Sequence, residues 1–206
     1  MKTLSILSQK GGTGKTTLAL HLAVAAERAG KSCAVIDLDP QASAAGWKDL
    51  RQAVTPAVVS AQAARLPHVL ATAEEHGADV IVIDTAPHAE GAALAAARAA
   101  DLILIPCRPA VLDLKAIGTT IDLVRLAGNP AAVVLNAVPS RGTLVHEAGE
   151  VVETYGVTLC PVCIGHRAAF VHALTGGATA EEYEPRGKAA EEVTQLYRWI
   201  CKQVDM

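Results

Sequence analysis

The stretch Leu4-Ser5-Ile6-Leu7-Ser8-Gln9-Lys10-Gly11-Gly12-Thr13-Gly14-Lys15-Thr16-Thr17 decides the fold. A short apolar run leads into a glycine-rich turn. A segment rich in Ala and Leu follows from Lys15 and reads as a helix. A strand, a glycine loop and a helix N-terminus in this order make an anion cradle. The glycines let backbone N–H groups converge, and the helix dipole favours negative charge there. Lys15 can neutralise the β- and γ-phosphates of a nucleotide, and the Thr16 hydroxyl can coordinate Mg²⁺. The generic phosphate-loop pattern asks for glycine at position 9, where this chain has Gln9, and an extra lysine, Lys10, stands at the loop entrance. Lys10 is too far along the loop to share Lys15's phosphate edge. It could serve the nucleotide of a second subunit.

Outward from this stretch, short β-branched runs alternate with Ala-rich helical segments. The runs are 4–8, 33–37, 80–84, 102–107, 133–138 and 157–164, with a weaker one at 57–59. They are continuously apolar, as strands buried on both faces should be. Helices are expected over 15–29, 42–51, 61–76, 89–99, 114–127, 143–154, 168–174 and 188–204, several of them ending at Gly30, Gly77, Gly128 or Gly156. Repeated strand–helix units predict one α/β domain over 1–206: a doubly wound, mostly parallel sheet with helices on both faces.

Acids close two of the strands. Asp37 and Asp39, in Asp37-Leu38-Asp39-Pro40-Gln41, leave on the same side at the carboxyl edge, where open α/β sheets bind ligands. They could equally cap the next helix. Asp84 follows Val80-Ile81-Val82-Ile83 and precedes Thr85-Ala86-Pro87. A carboxylate at the end of so apolar a strand is costly without a cation or donors, so Asp84 is expected to hold Mg²⁺ directly or through water. Asn136 interrupts Val133-Val134-Leu135 and needs hydrogen-bond partners.

With Lys10 to Thr17, Asp37 to Gln41 and Asp84 in place, the chain resembles the deviant Walker A ATPases, the family of ParA, MinD, Soj and the nitrogenase iron protein, over nearly its whole length. The resemblance implies ATP/ADP and Mg²⁺ as cofactors, with Lys10, Gly11, Gly12, Thr13, Gly14, Lys15, Thr16 and Thr17 around the phosphates. It implies an ATP-dependent homodimer in which Lys10 crosses to the partner's phosphates. Asp39 would position the attacking water, Asp37 would lie near Mg²⁺, and Asn136 would meet the adenine edge. A satisfied core amide is the competing reading of Asn136. The last third, with Gly165-His166-Arg167, Gly176-Gly177 and Tyr183-Glu184-Pro185-Arg186-Gly187-Lys188, resembles small ParF-like plasmid partition proteins. From that follow slow hydrolysis, nonspecific DNA binding and a small ParB- or ParG-like centromere-binding adaptor. Arg167, Arg186 and Lys188 are the DNA candidates, with Arg198 and Lys202 beside them.

Composition sets limits on these expectations. The chain has 206 residues, a formal net charge of −3 and only 3% aromatic residues, so any nucleic-acid contact must use a local basic patch. No apolar run reaches the ~18 residues of a membrane span, the N-terminus has no signal-peptide pattern, and the five cysteines form no secreted framework. A cytoplasmic protein, nucleoid-associated when ATP-bound and not on a membrane, is expected. The tail 196–201 reads as a docked helix rather than a membrane anchor. Cys160-Pro161-Val162-Cys163 keeps one rival open, an iron–sulfur carrier with four thiolates per dimer. Dethiobiotin-synthetase-type enzymes, which share the loop but need no Lys10, are a second. ATPases that position another cargo are a third. The phosphate-loop reading predicts that Lys15→Ala abolishes ATP binding in calorimetry; unchanged affinity would overturn it.

Overall fold

Val80-Ile81-Val82-Ile83 alternates its branched side chains between two covered faces, and this sandwiching organises the molecule. The computed structural model describes residues 1–141 and 143–206. Its strands are β1 (Lys2–Ile6), β2 (Cys33–Asp37), β3 (Ala57–Ser60), β4 (Val80–Asp84), β5 (Leu102–Cys107), β6 (Ala131–Leu135) and β7 (Thr158–Leu159). They form one sheet in the order β3-β2-β4-β1-β5-β6-β7, with every pair parallel. The helices are α1 (Lys15–Arg28), α2 (Ser43–Leu50), α3 (Leu66–Glu75), α4 (Glu90–Ala99), α5 (Val111–Ala127), α6 (Leu144–Thr154), α7 (Ala168–Thr175), α8 (Ala180–Tyr183) and α9 (Lys188–Gln203).

Two faces carry three apolar clusters. Leu4, Ile6, Val80, Val82, Leu102 and Leu104 pack against α1 and α9. Ile103, Ile105, Val133 and Leu135 pack against α4, α5 and α6, and Ile36, Ile81 and Ile83 against α3 and α4. Each fully buried Leu, Ile or Val contributes about 1.5–3 kcal/mol over leaving it in water. Because β2, β4 and β1 are neighbours, their carboxyl ends meet. In register, Ile6 lies opposite Asp84 and Asp84 opposite Asp37.

The expected elements appear with local corrections. The run 157–164 pairs only at Thr158–Leu159; Pro161 has no N–H to donate, and a single bridge from Val138 to Gly165 follows. The stretch 61–76 divides into a 3₁₀ turn (Ala63–Arg65) and α3, with Pro67 in the helix's first turn. Sequence periodicity missed α8, whose single turn is held by a capping box between Thr179 and Glu182.

One buried histidine ties the phosphate-loop helix to this C-terminal region. His21 is wholly buried on α1. Its Nδ1–H donates to the Thr17 carbonyl at 2.7 Å, and its Nε2 accepts the Ala180 N–H at 3.0 Å. The two bonds define one neutral tautomer, and burial pushes the pKa down to about 4. Phe170 of α7 meets the ring edge-on at 5.0 Å. Nearby, Arg51 forks onto Glu182 at 2.8 and 2.9 Å and covers the Trp47 ring, which joins α2 to α8.

Glu181, in the first turn of α8, is 3% exposed, and both carboxylate oxygens lack hydrogen-bond partners. Burial pushes its pKa up to about 7. The native state therefore keeps a proton that the unfolded chain releases near 4.5, and stability is lost as pH rises from there through 7. Glu181→Gln is expected to gain ~2 kcal/mol over the parent at pH 8 and little at pH 4 in denaturant titrations. The same difference at both pH values would contradict this.

Candidate nucleotide-binding site

The loop after β1 is held from three sides. The Leu7 N–H donates to the Leu104 carbonyl at 2.9 Å, the Thr85 hydroxyl to the Ile6 carbonyl at 2.9 Å, and the Gln9 N–H to Thr120 Oγ1 at 3.0 Å. Gly12 and Gly14 have φ of +70° and +91°, where glycine alone is unstrained. At Gly14 there is no space either: a Cβ would lie 2.2 Å from Asn136 Nδ2. That amide donates to the Thr13 carbonyl at 2.6 Å and accepts the Ala137 N–H at 2.9 Å. Asn136, the first residue after β6, therefore braces the phosphate loop.

Lys15 is buried at the start of α1, and its ammonium donates to the Lys10 carbonyl at 3.3 Å. Burial lowers its pKa, opposed by the charges of Asp84 and Asp39. Asp84 is fully buried, and neither carboxylate oxygen has a hydrogen-bond partner. Burial pushes its pKa up to about 7 against the Thr16 hydroxyl and Lys15. An orphaned buried carboxylate beside a threonine hydroxyl fits a hard divalent cation, so Thr16 and Asp84 are the residues that would hold Mg²⁺. The Thr13 hydroxyl is likewise buried without a partner. When bound, Mg²⁺ would neutralise phosphate charge at this edge.

The two acids after β2 separate in role. Asp37 accepts the Asp39 N–H and the Ala44 N–H, both at 3.0 Å, so both oxygens serve the turn into α2. Burial still raises its pKa. Asp39 is partly exposed, and among the described residues its carboxylate accepts only the Gln41 N–H, at 2.9 Å, through Oδ1.

Two further cations lie around the loop. Lys10 is partly exposed, and its ammonium sits 3.0 Å from Asp113 Oδ1, in the first turn of α5. Arg108, just past β5, donates through Nη2 to the Gly12 carbonyl. Neither Asp113 nor Arg108 was evident in the sequence. The one available signal was position, since Arg108 follows the carboxyl end of the strand beside β1.

Other expected groups are dispersed. Arg167 is spent on Glu192, its Nε at 3.1 and 3.0 Å from the two oxygens. Arg186 and Lys188 are exposed at the start of α9. Arg28, Arg198 and Lys202 share one surface with Glu181, around a cavity of about 680 Å³ between α1 and α9. Cys160 packs in the core under α1 and α9, whereas Cys163 packs against the opposite face. Burial raises both thiols, Cys160 to about 11. No group of three or more metal-ligating side chains occurs among the described residues. No helix among them is long and apolar enough to cross a membrane.

Comparison with known proteins places this geometry in a family. The model of the CobQ/CobB/MinD/ParA nucleotide-binding domain matches residues 4–170. The chain is 32% identical to the maintenance of carboxysome distribution protein A of Gloeobacter kilaueensis, over 99% of this chain and 94% of that one. It is 28% identical to the chromosome partitioning protein ParA of Myxococcus xanthus, over 98% and 88%. Its fold matches the septum site-determining protein MinD of Pyrococcus horikoshii in complex with Mg-ADP, at a TM-score of 0.79 and 21% identity over 98% and 96% of the two chains. The chain belongs to the CobQ/CobB/MinD/ParA nucleotide-binding family, and it is an ATPase of the ParA/MinD kind.

Proposed function

We propose that this ATPase is a partition switch. It dimerises on ATP, binds DNA without sequence preference in that state, and hydrolyses ATP slowly until a small centromere-binding adaptor releases it. The observation that carries this reading is Lys10, a second lysine at the phosphate loop that its own site does not need. It is held back by Asp113 at 3.0 Å. Two triphosphates facing each other across an interface repel, and a cation inserted from each subunit would offset that repulsion and stabilise charge in the transition state. Asp39, with a carboxylate oxygen uncommitted, is the candidate for orienting the attacking water. The M. xanthus relative, named for chromosome partitioning, supports DNA as the cargo. A second reading, positioning of a protein compartment on DNA, is favoured by the G. kilaueensis relative, named for carboxysome distribution. Both readings need the same ATP-dependent dimer.

Subunit mixing tests the dimer. Lys10→Ala should bind ADP normally, stay monomeric with ATP and lose turnover. Asp39→Ala should accumulate the ATP dimer without phosphate release. One composite site in their heterodimer keeps both Lys10 and Asp39, so mixing should restore part of the ATPase rate. No recovery, together with a Lys10→Ala protein that dimerises unaided, would refute the trans-acting lysine.

The DNA half has its own test. Arg28, Arg198 and Lys202 form the patch that sequence spacing did not reveal. Arg198→Glu should weaken ATP-dependent DNA binding about tenfold and flatten its salt dependence, with ATP affinity unchanged. Equal DNA affinity in ADP and ATP would count against the switch.

A further inference from the structure

Arg108 is the cation at the nucleotide site that neither the family's loop pattern nor the acids account for. It is the first residue after β5, and β5 pairs directly with β1, which carries the phosphate loop. Its guanidinium lies on the loop itself: Nη2 donates to the Gly12 carbonyl and stands 3.4 Å from where a Gly12 Cβ would be. The side chain is otherwise exposed.

The three cations at this edge are engaged differently. Lys10 is neutralised by Asp113. Lys15 is buried among the charges of Asp84 and Asp39. Arg108 takes part in none of the ion pairs among the described residues. The only hydrogen bond of its side chain among them goes to a neutral carbonyl, so most of its guanidinium N–H donors are unused. A planar guanidinium is built to fork onto phosphate oxygens, and a hydrogen bond to a charged oxygen is about twice as strong as one to a neutral carbonyl. The Gly12 carbonyl therefore serves as a parking place for a group suited to an anion. Along the loop, Gly14 adjoins the helix end, whereas Gly12 lies two residues nearer the entrance. A cation over Gly12 is thus placed for the outer end of a bound triphosphate.

We infer that Arg108 binds the terminal phosphate of ATP and so helps the site discriminate ATP from ADP. The phosphate belongs either to the nucleotide in its own loop or to one facing it across the proposed dimer. The chemistry is the same in both cases.

Calorimetry on the full chain with Mg²⁺ and either a non-hydrolysable ATP analogue or ADP tests this. Arg108→Ala should lose about tenfold in affinity for the analogue and less than twofold for ADP, as expected for removal of one charged hydrogen bond. Arg108→Lys should recover part of the loss. Retained ADP binding shows that the loop is still folded. Equal losses for both nucleotides would make Arg108 only a brace for Gly12 and overturn the inference, as would no loss. The source of the phosphate is read in a Lys10→Ala background, which is monomeric on the reading above. A selective loss that persists there assigns the chain's own nucleotide; one that appears only in the Lys10-intact protein assigns the facing nucleotide. Should Lys10→Ala dimerise normally, the trans-lysine reading fails, while the comparison of ATP analogue with ADP still decides Arg108.

Discussion

Burying an ionised carboxylate in a water-poor edge of a sheet is the constraint from which the site follows. The neighbouring positions of β2, β4 and β1 bring Asp37 and Asp84 together at the level of Ile6, with Lys15 at the loop just beyond. The protein treats the two acids differently. Backbone amides satisfy Asp37, so it shapes the turn into α2. Asp84 receives no donor and has its pKa raised to about 7, which leaves a strong demand for positive charge beside Thr16. Mg²⁺ with nucleotide would meet that demand, and the glycine loop and the Asn136 brace shape the cradle.

Around this centre, the cations form a graded set. Lys15 is committed to the site. Lys10 is restrained: leaving Asp113 would abandon a largely buried carboxylate, so its transfer to another subunit carries a cost that facing phosphates must exceed. Arg108 is restrained only by a carbonyl. The order in which these groups can be recruited is therefore built into their partners. His21 extends the same rigidity away from the site, because one neutral ring bonds both the loop helix and the start of α8.

Much of this was legible in one dimension. The strand–loop–helix and the acids closing 33–37 and 80–84 are local arrangements in which spacing along the chain is nearly the same thing as geometry. Where that equivalence failed, the cause was specific. Pro161 cut short the expected strand at 157–164. Arg167 looked like a free surface cation until Glu192, 25 residues away, proved to neutralise it. Cys160 and Cys163, three residues apart in sequence, pack against different core clusters.

The sequence by itself determined the parallel α/β architecture and the strand–glycine-loop–helix order, because each depends on contiguous residues whose backbone preferences and side-chain alternation are local. Only the tertiary structure decided that Lys10 rests on Asp113, that Asn136 supports Thr13, that Arg108 covers Gly12, and that Arg28 joins Arg198 and Lys202 on one surface. The contacts of Asn136 and Arg108 span 123 and 96 residues. Whether such residues meet depends on the order of strands in the sheet and on which side chain turns toward the edge, and no local periodicity encodes either.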